Sequence, residues 1–291
     1  MIDLREFSDK AEQDRCLGLI VTQNQKEVGR YLSEGPCRRN IYSASKSFTS
    51  AAVGIAVKEG LLALDEKLTD AFSEDLPDRV PDNLEKATVK DLLTMCLGQD
   101  KGFLMGEDRP YYTERDWVKL SLRQSFPYQP GTRFVYNNAG PYLAGVLVQR
   151  RAGCDLVHYL YPRLFEPLGM VLPTWEADPL GRTFGAGGLF LTLGELHTFG
   201  TLYLQQGFWK GRQLISREWI SESTRKQVDN GEEGYGYLFW RGKYDSFRAD
   251  GKYEQYSIIF PEKNAVVTTV AESRRPRAVL TDVYDLIYPQ L

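Results

Sequence analysis

The run Ser45–Glu59, SKSFTSAAVGIAVKE, constrains the fold more than any other stretch of the chain. Phe48, Ala52 and Ile55 recur at helical spacing, and Gly60 suits a C-terminal cap. The other positions of the segment, Ala51, Val53, Gly54, Ala56 and Val57, are small or apolar nearly all the way round. A helix that lacks a polar face must be surrounded by other elements. The chain has 291 residues to supply them. A chain of that size buries roughly three quarters of its unfolded surface and needs no staples to build a core.

The flanking layers can be read from pattern. Residues 17–32, LGLIVTQNQKEVGRYL, read as two short strands around a polar turn. Towards the other end, GYGYLFWRG, YSIIF and AVVTTVAE read as consecutive strands, the last two joined by the turn Pro261-Glu262-Lys263-Asn264. In the first of these, Tyr235, Tyr237 and Trp240 are expected on one face. AVLTDVYDLIYPQL reads as a closing amphipathic helix. Short helical pieces fill residues 66–115, a helix pair covers 141–170, Thr192 and Glu195 form a capping box that opens another helix, and a last one covers about 216–226. The expectation is an α+β fold: an antiparallel sheet built from both chain ends, flanked by helices, with a mostly helical middle region. The sheet region is placed at about 1–65 and 228–291 and the helical region at about 66–227. No Pro/Gly/Ser-rich linker separates them, so 1–291 reads as a single domain.

Charge and rare residues exclude several function classes. With 36 Lys+Arg against 39 Asp+Glu there is no basic footprint, and a nucleic-acid partner is not expected. Cys16, Cys37, Cys96 and Cys154 lie far apart, which fits reduced, mostly core thiols better than a disulfide frame or a zinc site. Only two histidines, His158 and His197, are present, too few for a three-histidine metal site. No metal or cofactor is expected. The N-terminus is charged throughout with no apolar signal core, and no stretch approaches the roughly 20 apolar residues of a membrane span. The expectation is a soluble, cytoplasmic protein with no membrane partner; oligomeric state stays open.

Ser43-Ala44-Ser45-Lys46 opens the buried helix. A serine and a lysine three apart at a helix start lie on one face, one turn apart. A hydroxyl is a poor nucleophile until a base takes its proton. An ammonium that is partly desolvated near the positive end of a helix is pushed towards its neutral, basic form. Backbone N–H groups free at a helix start can face a developing oxyanion. The pattern recurs roughly once by chance in an ordinary chain, and Ser223-Thr224-Arg225-Lys226 also matches. That copy sits among charged residues and reads as a solvated face.

Tyr136-Asn137-Asn138 lies between the loop PGTRF and a helix beginning near Pro141. A tyrosine near a cationic lysine can be held as phenolate or share the serine's proton, and an amide can orient a carbonyl. The alternative is that Tyr136 packs in the core and Asn138 caps the helix.

Together these segments resemble the serine beta-lactamase and penicillin-binding-protein superfamily, most nearly its class C beta-lactamase, esterase and D-aminopeptidase branch. SASKSFTSAAVGIAVKEGLLALDEKL is similar to the Ser-x-x-Lys helix, KATVKDLLTMCLG to the segment before the insertion, and PGTRFVYNNAG to the Tyr-x-Asn motif. FEPLGM and FGAGGLFLT follow as landmarks in the same order. The resemblance implies Ser43 as acylated nucleophile, Lys46 as its proton partner, Tyr136 as general base or relay, and Asn138 as a contact to a substrate amide or to Lys46. It places the family's third motif at Ala249-Asp250-Gly251, with Gly251 letting backbone approach a ligand and the Lys252 N–H as second oxyanion donor. Ala249 departs from the family's cationic residue, which weakens recognition of a substrate carboxylate unless Arg248, Lys252 or Lys243 supplies the charge.

The function implied is a serine hydrolase acting on a small ester or amide through an acyl-enzyme on Ser43. A class C-like beta-lactamase, and a penicillin-recognising binding or sensor module with little turnover, are the alternatives. The partner is a small-molecule ester, amide or beta-lactam. Specificity is expected in loops at about 100–115, 175–185 and 228–248. Gly185-Ala186-Gly187-Gly188 reads as a turn bordering the site, His158 and His197 as structural, and Glu166 as part of a packing turn.

Overall fold

A computed structural model describes residues 1–291. Its centre is a six-stranded antiparallel sheet of β1 (Cys16–Gln23), β2 (Lys26–Leu32), β3 (Trp240–Arg241), β4 (Phe247–Gly251), β5 (Gln255–Phe260) and β6 (Ala265–Ala271). The spatial order is β2-β1-β6-β5-β4-β3, so the two chain ends meet where β1 pairs with β6. Helices relevant to the layers are α1 (Arg5–Gln13), α2 (Ser45–Lys58), α3 (Ala139–Ala152), α4 (Leu193–Leu204) and α5 (Ala278–Asp282). No helix is long and apolar enough to cross a membrane.

Strand alternation sends neighbouring residues to two cores. On the outer face Leu19, Val21, Ile258, Phe260 and Val267 meet Phe7 and Ala11 of α1 and Val279 and Leu280 of α5. On the inner face Phe247, Ala249, Ile259 and Val266 join a cluster of 60 buried residues that includes Phe48 of α2, Phe199 of α4 and the helical middle. From Ser45 to Ile55 and Ala56 every residue of α2 is buried, as its lack of a polar face requires. Gly54 has a packing reason: a Cβ there would stand 2.4 Å from the Trp219 ring. Gly60 ends the helix at φ +72°.

Several elements depart from the pattern reading. The charged N-terminus holds α1, which buries only Phe7 and Ala11. GYGYLFWRG is a strand only at Trp240–Arg241, because Leu238 adopts a left-handed φ of +62° that interrupts extension. Its aromatics therefore diverge: Tyr235 packs on Trp240 at 5.1 Å between centroids, and Tyr237 on Trp219 at 5.5 Å. The strand β4 has no β-rich pattern. A small second sheet joins Arg39–Asn40, Thr174–Trp175 and Leu189–Leu191. Helix α4 lies in sequence among the helical middle but packs on β5 and β6. Cys16 and Cys96 are buried, whereas Cys37 and Cys154 are exposed; all four are free.

Candidate active site

Ser43 is carried by the tight turn Tyr42–Ala44 that leads directly into α2. Tyr42 sits at a left-handed φ of +48°, a strained choice for a bulky residue. The turn is fixed from several sides. The Tyr42 N–H donates to Asn40 Oδ1 at 2.7 Å, the Ala44 N–H donates to Ile41 O at 3.1 Å, and the Ser45 hydroxyl accepts from the Leu189 N–H at 3.1 Å. The Tyr42 ring meets that of Tyr253 edge-on at 5.2 Å.

Lys46, one turn on, is 2% exposed. Its Nζ lies 3.0 Å from Ser43 Oγ, 2.7 Å from Asn138 Oδ1 and 2.6 Å from Ala186 O. Burial pushes the amine down to about 7, and the Arg109 charge pushes the same way against a weaker pull from Asp250. The three contacts assign the neutral form a geometry. Asn138 Oδ1 is an acceptor because the Asn138 amide donates to Leu104 O at 2.9 Å, and Ala186 O can only accept. These two take both N–H groups of a neutral amine, which leaves its lone pair for the Ser43 hydroxyl proton.

Tyr136 borders the same pair, with its ring centroid 5.0 Å from Lys46 Nζ and 5.6 Å from the Trp240 ring. Burial raises its phenol well above the usual range, although the neighbouring Ser43 hydroxyl pulls the other way. Both directions of shift run against a phenolate beside a cationic lysine. Of the two, the shifts favour Lys46 over Tyr136 as proton acceptor. Asn138 begins α3 in position, yet its side chain caps nothing. The cap is Asn137, whose Oδ1 accepts from the Gly140 N–H at 2.8 Å.

The strand β4 forms the opposite wall. A Cβ on Gly251 would stand 2.2 Å from Ile41 O and 3.2 Å from Ala44 N. Glycine there lets β4 lie against the turn that carries Ser43. Lys252 follows, with its N–H engaged by no backbone carbonyl of the chain. Ala249 is buried and uncharged. Of the three cations considered as its replacement, Arg248 is 4% exposed and spent on Asp250. Lys243 lies over the Tyr284 ring at 5.6 Å in a separate hollow. Lys252 alone of the three lines the cavity with Ser43.

That cavity measures about 660 Å³ and joins Ser43, Tyr136, Asn138 and Lys252. Each of the three expected specificity loops contributes: Met105, Glu107 and Arg109 from the first, Glu176 and Phe184 from the second, Trp240 from the third. Sequence reasoning did not single out Arg109 or Glu176, and it named Asp250 only as the middle of the third motif, with no role. Arg109 pairs with Glu176 at 3.3 Å and stacks over Phe184 at 4.5 Å. Residues 186–188 of the glycine-rich turn line the cavity too.

The remaining candidates stand apart. His197 is buried between Thr268 and Thr22, and burial pushes it down to about 4. His158 pairs with Asp155 at 2.7 Å on the surface. In the second Ser-x-x-Lys copy, Ser223 is buried and donates to Ile220 O at 3.3 Å, while exposed Lys226 faces Asp229 at 3.4 Å. The serine is thus a core residue, not part of a solvated face.

A family model described as Beta-lactamase matches residues 17–288. Among curated proteins, the chain is 26% identical over 197 residues to acyltransferase mokF of Monascus pilosus, which covers 60% of this chain and 47% of that one. It is 31% identical over 150 residues to lovastatin esterase of Penicillium rubens, covering 44% of this chain and 37% of that one. The chain thus spans less than half the length of these curated relatives. Among solved structures, the octameric penicillin-binding protein homologue from Pyrococcus abyssi matches with a TM-score of 0.78 at 20% identity, covering 98% of this chain and 76% of that one. The penicillin binding protein from Bacillus halodurans matches with a TM-score of 0.77 at 18% identity, covering 98% and 100%. At such identities these likenesses establish the fold alone.

Proposed function

The chain belongs to the beta-lactamase family, and from that premise we propose that it hydrolyses a small ester or amide through an acyl-enzyme on Ser43. The observation that carries this reading is a buried amine, held near neutrality, 3.0 Å from the Ser43 hydroxyl. In acylation, Ser43 Oγ attacks the substrate carbonyl and its proton passes to Lys46 Nζ. The oxyanion is received by the N–H groups of Ser43 and Lys252. As the bond to the leaving group breaks, a proton reaches that group from Lys46, directly or through the Tyr136 hydroxyl. Water then attacks the acyl-Ser43 carbonyl, gives a proton to the same pair, and Ser43 is restored as the acid leaves. Asn138 and Ala186 O position the amine throughout.

Ala249 removes the strand cation that would meet a penicillin's carboxylate, and although Lys252 still places an ammonium on the cavity, an ester or simple amide fits this wall without one. A second reading, transfer of the acyl group to an alcohol in place of water, is favoured by the likeness to acyltransferase mokF. Turnover of a short-chain p-nitrophenyl ester by the wild type and by Ser43→Ala tests the nucleophile. The wild type is expected to turn over and the variant to fall to background; equal rates would remove Ser43 from this role. Adding a small alcohol separates the two readings, because transfer yields a new ester and hydrolysis only the acid. Rapid hydrolysis of a chromogenic cephalosporin would instead favour a beta-lactamase.

A further inference from the structure

Asp250 takes no part in the acyl transfer, yet its carboxylate stands on the wall of the catalytic cavity and of an adjoining one of about 370 Å³. Trp240 and Lys252 are likewise common to both. Asp250 Oδ2 accepts from Arg248 Nε at 2.8 Å, and no group of the protein donates to Oδ1. Arg248 is held elsewhere as well. Its Nη1 donates to Arg241 O at 3.0 Å, and its Cζ lies 5.9 Å from both the Trp240 and the Tyr256 ring centroids. The pair therefore fixes Asp250 from behind, with one oxygen unspent beside the reacting groups; burial raises the carboxyl above its ordinary range while Arg248 pulls the other way.

Other charges on the catalytic cavity are engaged or peripheral, while the adjoining one also carries Arg274 and Arg277, the latter paired with Glu232. Arg109 faces Glu176 at 3.3 Å. Lys252 is exposed, its ammonium 5.3 Å from the Tyr253 ring centroid. Glu107 is exposed at the rim. A carboxylate on the substrate would meet Asp250 as a like charge, whereas an N–H or ammonium would form a charge-assisted hydrogen bond.

We propose that Asp250 is a specificity-determining residue whose free carboxylate oxygen receives an ammonium or N–H group, so that the substrates of the Ser43 site are amino-bearing esters or amides. The proposal rests on the acyl-transfer reading. It is tested with two matched sets of p-nitrophenyl esters. In the first the acyl group is butanoyl, 3-aminopropanoyl or 3-carboxypropanoyl. In the second an acetyl ester carries ethyl, aminomethyl or carboxyl on the nitrophenol ring. In at least one set, kcat/KM for the ammonium member should exceed that of the neutral member by about tenfold or more, the scale of one hydrogen bond to a charged group. The carboxylate member should be the poorest. Asp250→Asn should bring the ammonium-to-neutral ratio to about one, and Asp250→Glu should retain a preference. Turnover of the neutral esters with no preference in either set, or a preference that survives Asp250→Asn, overturns the proposal alone. The wild-type ratios decide even where Asp250→Asn fails to fold. No turnover of any member overturns the acyl-transfer reading, and this proposal with it.

Discussion

A lysine can take a proton from serine only in its neutral form, so the burial of Lys46 sets the pH at which the site works. With the amine pushed down to about 7, protonation below that value removes the base. The expected profile of kcat/KM falls about tenfold per pH unit below pH 7 and levels off above it. Tyr136, raised by burial, keeps its proton through the neutral range and adds no limb there. Arg109 contributes to holding Lys46 down, so Arg109→Met should move the acid limb to higher pH. A profile in Arg109→Met that is unshifted or displaced to lower pH would exclude this electrostatic role. Lys46→Arg, a permanent cation at the same place, should lose turnover at every pH. The Ser-x-x-Lys spacing could be read from sequence because both residues belong to one helical turn. Arg109 could not, since nothing in a loop sequence says which charge will face a residue on a distant helix.

At the scale of elements, β4 explains where pattern reading stops. FRADG carries an arginine, an aspartate and a glycine, residues that a strand pattern counts against itself. They suit this strand because Arg248 and Asp250 pair on one face and Gly251 admits the Ser43 turn on the other. The family resemblance located the segment where periodicity could not. The N-terminal α1 was hidden for a related reason, two buried apolar side chains among charges. By contrast α2 was legible because small and apolar residues cover most of its faces, and α4 because the Thr192–Glu195 capping box forms as written. Gly251→Ala tests the contact. The added methyl would stand 2.2 Å from Ile41 O, and backbone cannot yield as a flexible side chain does. Strain of about 1–3 kcal/mol should lower the thermal midpoint. Ester turnover measured well below that midpoint should fall by tenfold or more, because β4 and the nucleophile turn are forced apart. A destabilised Gly251→Ala enzyme with full turnover would mean that the oxyanion donors do not depend on this approach.

At the scale of the whole molecule, the site is assembled from sequence-distant parts: Ser43 and Lys46, then Tyr136 and Asn138, then Ala186, then Gly251 and Lys252. The bonds of Lys46 Nζ to Asn138 and Ala186 cross from the sheet-side helix α2 to the helical middle. The packing crosses as well. One cluster of 60 buried residues contains Phe48, Leu143 and Phe165 together with Phe247 and Ile259 of the sheet. The sheet itself closes only when β1, from one chain end, pairs with β6, from the other. A helical region that melted alone would expose its half of that shared core and strip the acceptors from Lys46, so no partial structure keeps the site. Chains above about 150 residues often unfold in steps, but a shared core and a shared sheet leave few places to divide. Heating should therefore give one transition. Far-ultraviolet dichroism, tryptophan fluorescence and residual ester turnover should share a midpoint within about 2 °C, the shift expected of less than about 1 kcal/mol at this chain length. Separate midpoints for dichroism and fluorescence, or loss of turnover while both signals stay native, would show that the helical middle opens independently of the sheet.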